Sequence, residues 1–77
     1  MNLIDTVIDY IQNNLLDEGM SVERNDNLLE TGLIDSMGLM RLIAFLEDTY
    51  NIKIPPIDIV LSNFRDVLAI EKYIQLK

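Results

Sequence analysis

Apolar residues recur at helical spacing in four segments of the chain. Ile4, Val7, Ile8, Ile11 and Leu15 repeat at steps of three and four, which places them on one helix face, while Asp5, Asp9, Gln12 and Asn13 take the other. A first helix is predicted from about Leu3 to Leu16, with Gly19 as its C-terminal stop. Leu39, Leu42, Ile43, Leu46 and Tyr50 predict a second helix from about Ser36 to Tyr50. Asp35 and Ser36 are both N-cap types, and Asn51 can take the left-handed conformation that ends a helix. Pro55-Pro56 forbids continuation and biases Ile54 towards extended backbone. A short third helix is expected over Ile57 to Leu61. A fourth, capped by Ser62 or Asn63, is expected to reach about Gln75, with Val67, Ile70 and Ile74 inward and Phe64 and Tyr73 at its margins. Sustained strand alternation occurs nowhere. The expected fold class is all-α, a bundle of three longer helices and one short one.

The connection between the first two helices, about Asp17 to Asp35, is long. Gly19, Ser21, Asn25-Asp26-Asn27 and Gly32 are turn formers, yet Leu28, Leu29, Leu33 and Ile34 are spaced among them. An ordered loop lying across the core is therefore expected, and loops of this length are often functional.

The second helix has more apolar residues than one buried stripe needs. Met37, Met40 and Ala44 share a further face, so its first half is apolar nearly all round. A chain of 77 residues cannot bury such a helix completely, and exposed apolar surface marks a partner site. Methionine suits adaptable contacts, because its unbranched thioether chain is polarizable. The alternative is that the loop folds over this face and makes it ordinary core.

Composition narrows the chemistry. With 49% apolar residues the chain has enough for a core and too much for a disordered tail. Thirteen acidic side chains against six basic ones give a net charge of −7, and the basic residues are scattered, which argues against nucleic acid and against an anionic membrane surface. The longest uninterrupted apolar run, Leu42 to Leu46, is far short of a membrane span. Met1 to Asp5 shows no basic leader segment, so a cytoplasmic location is expected. The absence of cysteine removes disulfides and thiolate chemistry, and the absence of histidine removes the best proton carrier near neutral pH. No metal site is expected. The acids around Asp26 lack the alternating oxygen ligands, glycine and terminal glutamate of a Ca²⁺ loop.

Ser36 at the start of the second helix has three possible roles. It can cap the helix, its oxygen accepting a backbone N–H. It can be a nucleophile, but with no histidine and with Lys53, Lys72 and Lys77 all late in the chain, no base is placed beside it. It can be a passive attachment point for a phosphate-linked group, which the helix N-terminus would favour.

Taken together these residues resemble the acyl and peptidyl carrier proteins. Leu33-Ile34-Asp35-Ser36-Met37 looks like that family's attachment motif, and Leu28-Leu29-Glu30-Thr31-Gly32, Phe45-Leu46-Glu47-Asp48, Ile52-Lys53-Ile54-Pro55, Asn63-Phe64 and Ile70-Glu71-Lys72-Tyr73-Ile74 fall in family order. The resemblance implies a four-helix carrier bundle over 1–77 as one domain, no catalytic residues, and 4′-phosphopantetheine carried covalently on Ser36 beside Asp35. It implies as partners a phosphopantetheinyl transferase, an acyl-loading enzyme and downstream acyl-processing enzymes, with a monomer expected. Leu33, Met37, Met40 and Arg41 are the expected partner face; Arg41 could instead pair with Glu47 or Asp48. Gly38 and Arg41 stand where fatty-acid carriers tend to have acids, and Ile34-Asp35-Ser36-Met37-Gly38 looks closer to stand-alone aminoacyl carriers, D-alanyl carriers included. It is also similar to discrete nonribosomal peptide and polyketide carriers. The expected function is thus a discrete carrier loaded by an adenylate-forming ligase, in secondary metabolism or cell-envelope synthesis. A fatty-acid carrier is the alternative within the family, and an unmodified helical adaptor the alternative outside it.

Overall fold

A computed structural model describes residues 2–17 and 19–77; Met1 of the expected domain and Glu18 of the expected loop lie outside the described residues. Every regular element among them is helical: α1 (Leu3–Asn14), α2 (Ser36–Tyr50), a single 3₁₀ turn (Pro56–Asp58), α3 (Leu61–Phe64) and α4 (Val67–Gln75). The all-α fold class is as expected from the periodicity.

Each of the three long helices starts on a side chain that accepts a first-turn N–H. Asn2 Oδ1 accepts from Asp5 N–H at 2.8 Å, Asp35 Oδ1 from Gly38 N–H at 2.7 Å and Asp66 Oδ1 from Ala69 N–H at 2.8 Å. The expected boundaries shift accordingly. α4 begins at Val67 behind Asp66, not behind Ser62 or Asn63. The expected third helix over 57–61 is replaced by the 3₁₀ turn and α3. α1 ends at Asn14, two residues early, because Leu15 N–H and Leu16 N–H both turn back onto Ile11 C=O. Asn51 ends α2 in the left-handed region (φ 53°) as its type allows.

The core joins Val7 and Ile11 of α1, Leu42, Ile43 and Leu46 of α2, Phe64 of α3, and Val67 and Ile70 of α4. The 17–35 loop contributes Val22, Leu28 and Ile34, so it is an ordered part of the core, as its apolar spacing predicted. Its backbone is fixed at several points. Val22 N–H donates to Gln12 Oε1 at 3.2 Å, and Gln12 Nε2 donates to Met20 C=O. Leu28 N–H donates to Arg65 C=O at 2.8 Å, and Leu68 N–H to Arg24 C=O at 3.2 Å. The Tyr10 and Phe45 rings stack, centroids 4.0 Å apart, across α1 and α2.

The end of α4 is tied to the 3₁₀ turn through Asp58. The Tyr73 hydroxyl donates to Asp58 Oδ2 at 2.7 Å, and Lys77 Nζ lies 3.8 Å from the same oxygen. Burial, then the hydrogen bond to Asp58 and the charges of Asp58 and Glu47, push the Tyr73 phenol up from 10.0 to about 12. Folding therefore favours the neutral phenol. Its contribution is whole below pH 10.0, the unfolded value, and is lost as pH rises through about 12. Urea unfolding midpoints of the wild type should fall more steeply across that window than those of Tyr73→Phe. Parallel curves would show that the phenol contributes nothing there.

Candidate functional site

The structure separates two roles that the sequence left together at the start of α2. Asp35, extended at φ −102° and ψ −174°, is the N-cap, and its carboxylate takes the Gly38 N–H. Ser36 is the first helical residue. It is exposed, and among the described residues its hydroxyl makes no side-chain hydrogen bond. The capping role therefore falls to Asp35, and the Ser36 oxygen is left accessible at the positive end of a 15-residue helix.

Gly38 sits directly beneath this cap and is buried. A Cβ there would stand 3.3 Å from both Asp35 Oδ1 and Ile34 Cβ, so a larger residue would press on the capping carboxylate and on the Ile34 side chain. This changes the meaning of Gly38. Besides leaving α2 without an acid at this position, it lets the loop approach the helix closely beside the Asp35 cap. Of the two positions read as departures from an acidic helix, only Arg41 lies on the surface.

Beyond Ser36 the loop does not cover the helix. Met37 is 76% and Met40 53% exposed, and with Ser36, Arg41 and Ala44 they line an open, almost wholly apolar groove along α2. Ala44, grouped with the methionines by spacing but not singled out, belongs to this groove. A second, more polar concavity lies between the residues after α1, the loop and the first turns of α2, and includes Asp17, Leu33, Asp35 and Met37. Leu33 is half-buried and opens onto this concavity rather than the groove. Arg41 lines both, and its guanidinium forms no ion pair with Glu47, Asp48 or any other acid among the described residues. A second exposed apolar patch, Ile57, Val60 and Leu61, lies on the 3₁₀ turn and the start of α3, where the sequence pattern placed no site. Its only signal was that apolar residues there exceed what one helical turn can bury.

The arrangement offers a bare hydroxyl, an apolar track beside it and a cation, Arg41, that has no ion-pair partner among the described residues. Among the described residues no base is hydrogen-bonded to the hydroxyl, which suits it to being modified by another protein. The residues fit a phosphate-linked group: the hydroxyl is free, and the helix end favours an anion.

Comparison with known proteins bears on this geometry. Residues 5–74 match the family described as phosphopantetheine attachment site. D-alanyl carrier proteins of Streptococcus pyogenes, among them those of serotype M5 (strain Manfredo), serotype M49 (strain NZ131) and serotype M1, are 38% identical over 55 residues, which are 71% of this chain and 68% of theirs. A chain from a crystal structure of an FAD-dependent dehydrogenase matches with a TM-score of 0.81 at 33% identity, covering 91% of this chain and 100% of that one.

Proposed function

The chain belongs to the phosphopantetheine attachment family, non-catalytic carriers whose prosthetic group is covalent 4′-phosphopantetheine, and from that premise we propose that Ser36 is the attachment residue of a discrete aminoacyl or acyl carrier spanning residues 1–77. The observation that carries this reading is the division of labour at the start of α2: Asp35 caps the helix, and the Ser36 hydroxyl stays free. When attached, the group supplies a terminal thiol that holds an acyl group as a thioester.

The chain's own residues then have distinct tasks. The Asp35 cap, with Gly38 packed beneath it, holds the first turn of α2, so the backbone at Ser36 is fixed where a transferase can meet its exposed hydroxyl. The base that takes its proton belongs to the transferase. Met37, Met40 and Arg41 offer an apolar surface with one positive charge to partner enzymes, with Leu33 and Asp35 beside it. Similarity to D-alanyl carrier proteins supports an aminoacyl cargo; we propose with it loading by an adenylate-forming ligase, in the cytoplasm, in cell-envelope synthesis or secondary metabolism. Arg41, exposed and without an ion-pair partner among the described residues, weighs against the acid-rich second helix of a fatty-acid carrier. Among the described residues no helix is long and apolar enough to cross a membrane.

Incubation with coenzyme A and a phosphopantetheinyl transferase should add one phosphopantetheine to the intact mass. An unmodified protein, where a control carrier is fully converted, would leave the helical adaptor as the better reading. For the partner face, Met40→Glu places a charge where half the side chain contacts solvent, so the fold should survive. Loading by a D-alanine-activating ligase should fall at least about tenfold, the equivalent of ~1.4 kcal/mol lost at an apolar contact. An unchanged loading rate in the folded variant dismisses the face.

One downstream partner class has its own support. The chain solved with the description of an FAD-dependent dehydrogenase is matched over its whole length. Oxidation of the carried acyl group by an FAD-dependent dehydrogenase is therefore a second reading, for the step after loading. Bleaching of that dehydrogenase's flavin by acyl-loaded carrier, but not by the free acid, supports it; no bleaching rejects it.

A further inference from the structure

We propose that the prosthetic arm does not project freely from Ser36 but lies along α2 in the groove of Met37, Met40 and Ala44; this rests on Ser36 being the attachment residue. Ser36 itself lines one end of that groove, so the arm leaves its attachment oxygen directly into the groove. From Ser36 to Ala44 the helix rises by about 12 Å, enough to seat the body of an extended pantetheine chain. The floor is methyl and thioether surface, left uncovered by the rest of the protein. The arm matches it in kind, with a geminal dimethyl carbon and ethylene segments separated by two amides. Its apolar parts can contact the two methionines while the amides stay hydrated on the open side. Arg41, on the groove's edge and without an ion-pair partner among the described residues, can donate to an amide carbonyl or to the phosphate.

Two further considerations favour this placement. The tether makes the contact intramolecular, at an effective concentration in the millimolar range, so interactions too weak to hold free pantetheine are populated. The competing concavity does not include Ser36 and is the more polar of the two; it shares Met37 and Arg41 with the groove but adds the carboxylates of Asp17 and Asp35, so it offers the arm's apolar segments less and its phosphate some repulsion. A partner that docks on the methionines must therefore displace the arm, and arm release and docking become coupled steps.

The test uses methionine-methyl-labelled protein before and after conversion, with conversion verified by mass. The Met37 and Met40 methyl resonances should shift on attachment and show nuclear Overhauser contacts to the geminal methyls of the arm. In holo Met40→Glu those contacts should vanish, and arm mobility should rise to that of free pantetheine. Shifts confined to the backbone amides of residues 35–38, with no methyl contacts in the fully converted wild type, overturn the proposal while leaving Ser36 as attachment residue. Absence of any mass gain overturns the Ser36 assignment itself, and this proposal with it.

Discussion

Ser36→Ala protein should fold like the wild type and accept no prosthetic group at all. The two halves of that expectation rest on different atoms. The helix start depends on the Asp35 carboxylate, which bonds Gly38 N–H at 2.7 Å, whereas the Ser36 hydroxyl supports nothing in the fold. Removing an exposed oxygen at the first helical position leaves stability within about 0.5 kcal/mol. Attachment, by contrast, needs that oxygen as the bonded atom, so transferase-catalysed mass gain should drop from complete to none. Asp35→Ala should give the reverse pattern. It loses the cap, at a cost of about 1 kcal/mol, and retains a hydroxyl that can still be modified, though more slowly because the first turn frays. Intact mass and urea unfolding of the two variants side by side decide the matter. A Ser36→Ala protein that still gains mass moves the attachment elsewhere. One that loses several kcal/mol would make Ser36 a structural residue.

That separation could not be made from the sequence, where Asp35 and Ser36 are adjacent and both of capping type. The start of α2 itself was legible, because a helical stripe from Leu39 to Tyr50 preceded by two capping residues and followed by Asn51 admits little else. The exposure of Met37 and Met40 was legible for a similar reason: too many apolar residues for the protein available to cover them. The packing role of Gly38 was not legible, because the approach of the loop to α2 does not register in the pattern; only the 3.3 Å approach of Ile34 and Asp35 shows it. The third and fourth helices were blurred by a different ambiguity. Ser62, Asn63 and Asp66 are all capping types within five positions, and periodicity cannot rank them. The winner is fixed by tertiary contacts, since Asp66 is buried while Leu28 and Leu68 bond to loop and turn carbonyls around it.

The cost of that ambiguity falls on Phe64. A helix running unbroken from about Asn63 puts this ring at the edge of the inward face. In the structure the chain breaks at Arg65 and Asp66, and Phe64, ending the four-residue α3, is fully buried. Its ring lies 5.5 Å from that of Tyr73, tilted by 53°. A single helical turn has no stability of its own, so α3 stays in place because Phe64 is buried and because Arg65 C=O accepts Leu28 N–H. Phe64→Ala should therefore be among the most damaging single changes in the molecule. Truncation of a buried phenylalanine costs about 3–5 kcal/mol. A chain of 77 residues is expected to have roughly 4–12 kcal/mol of stability in all. At about 4–8 °C per kcal/mol for a domain of this size, the melting temperature should fall by about 12 °C or more, enough to unfold much of the variant at 37 °C. Phe64→Leu keeps most of the volume and should recover the greater part of the loss. Thermal and urea unfolding of the two variants measure this directly, and a loss under about 1 kcal/mol for alanine would mean that the ring is not anchoring α3. Because Phe64 lies away from the α2 groove, any Phe64→Ala protein that remains folded at low temperature should still be modified at Ser36, which separates failure of the scaffold from failure of the site.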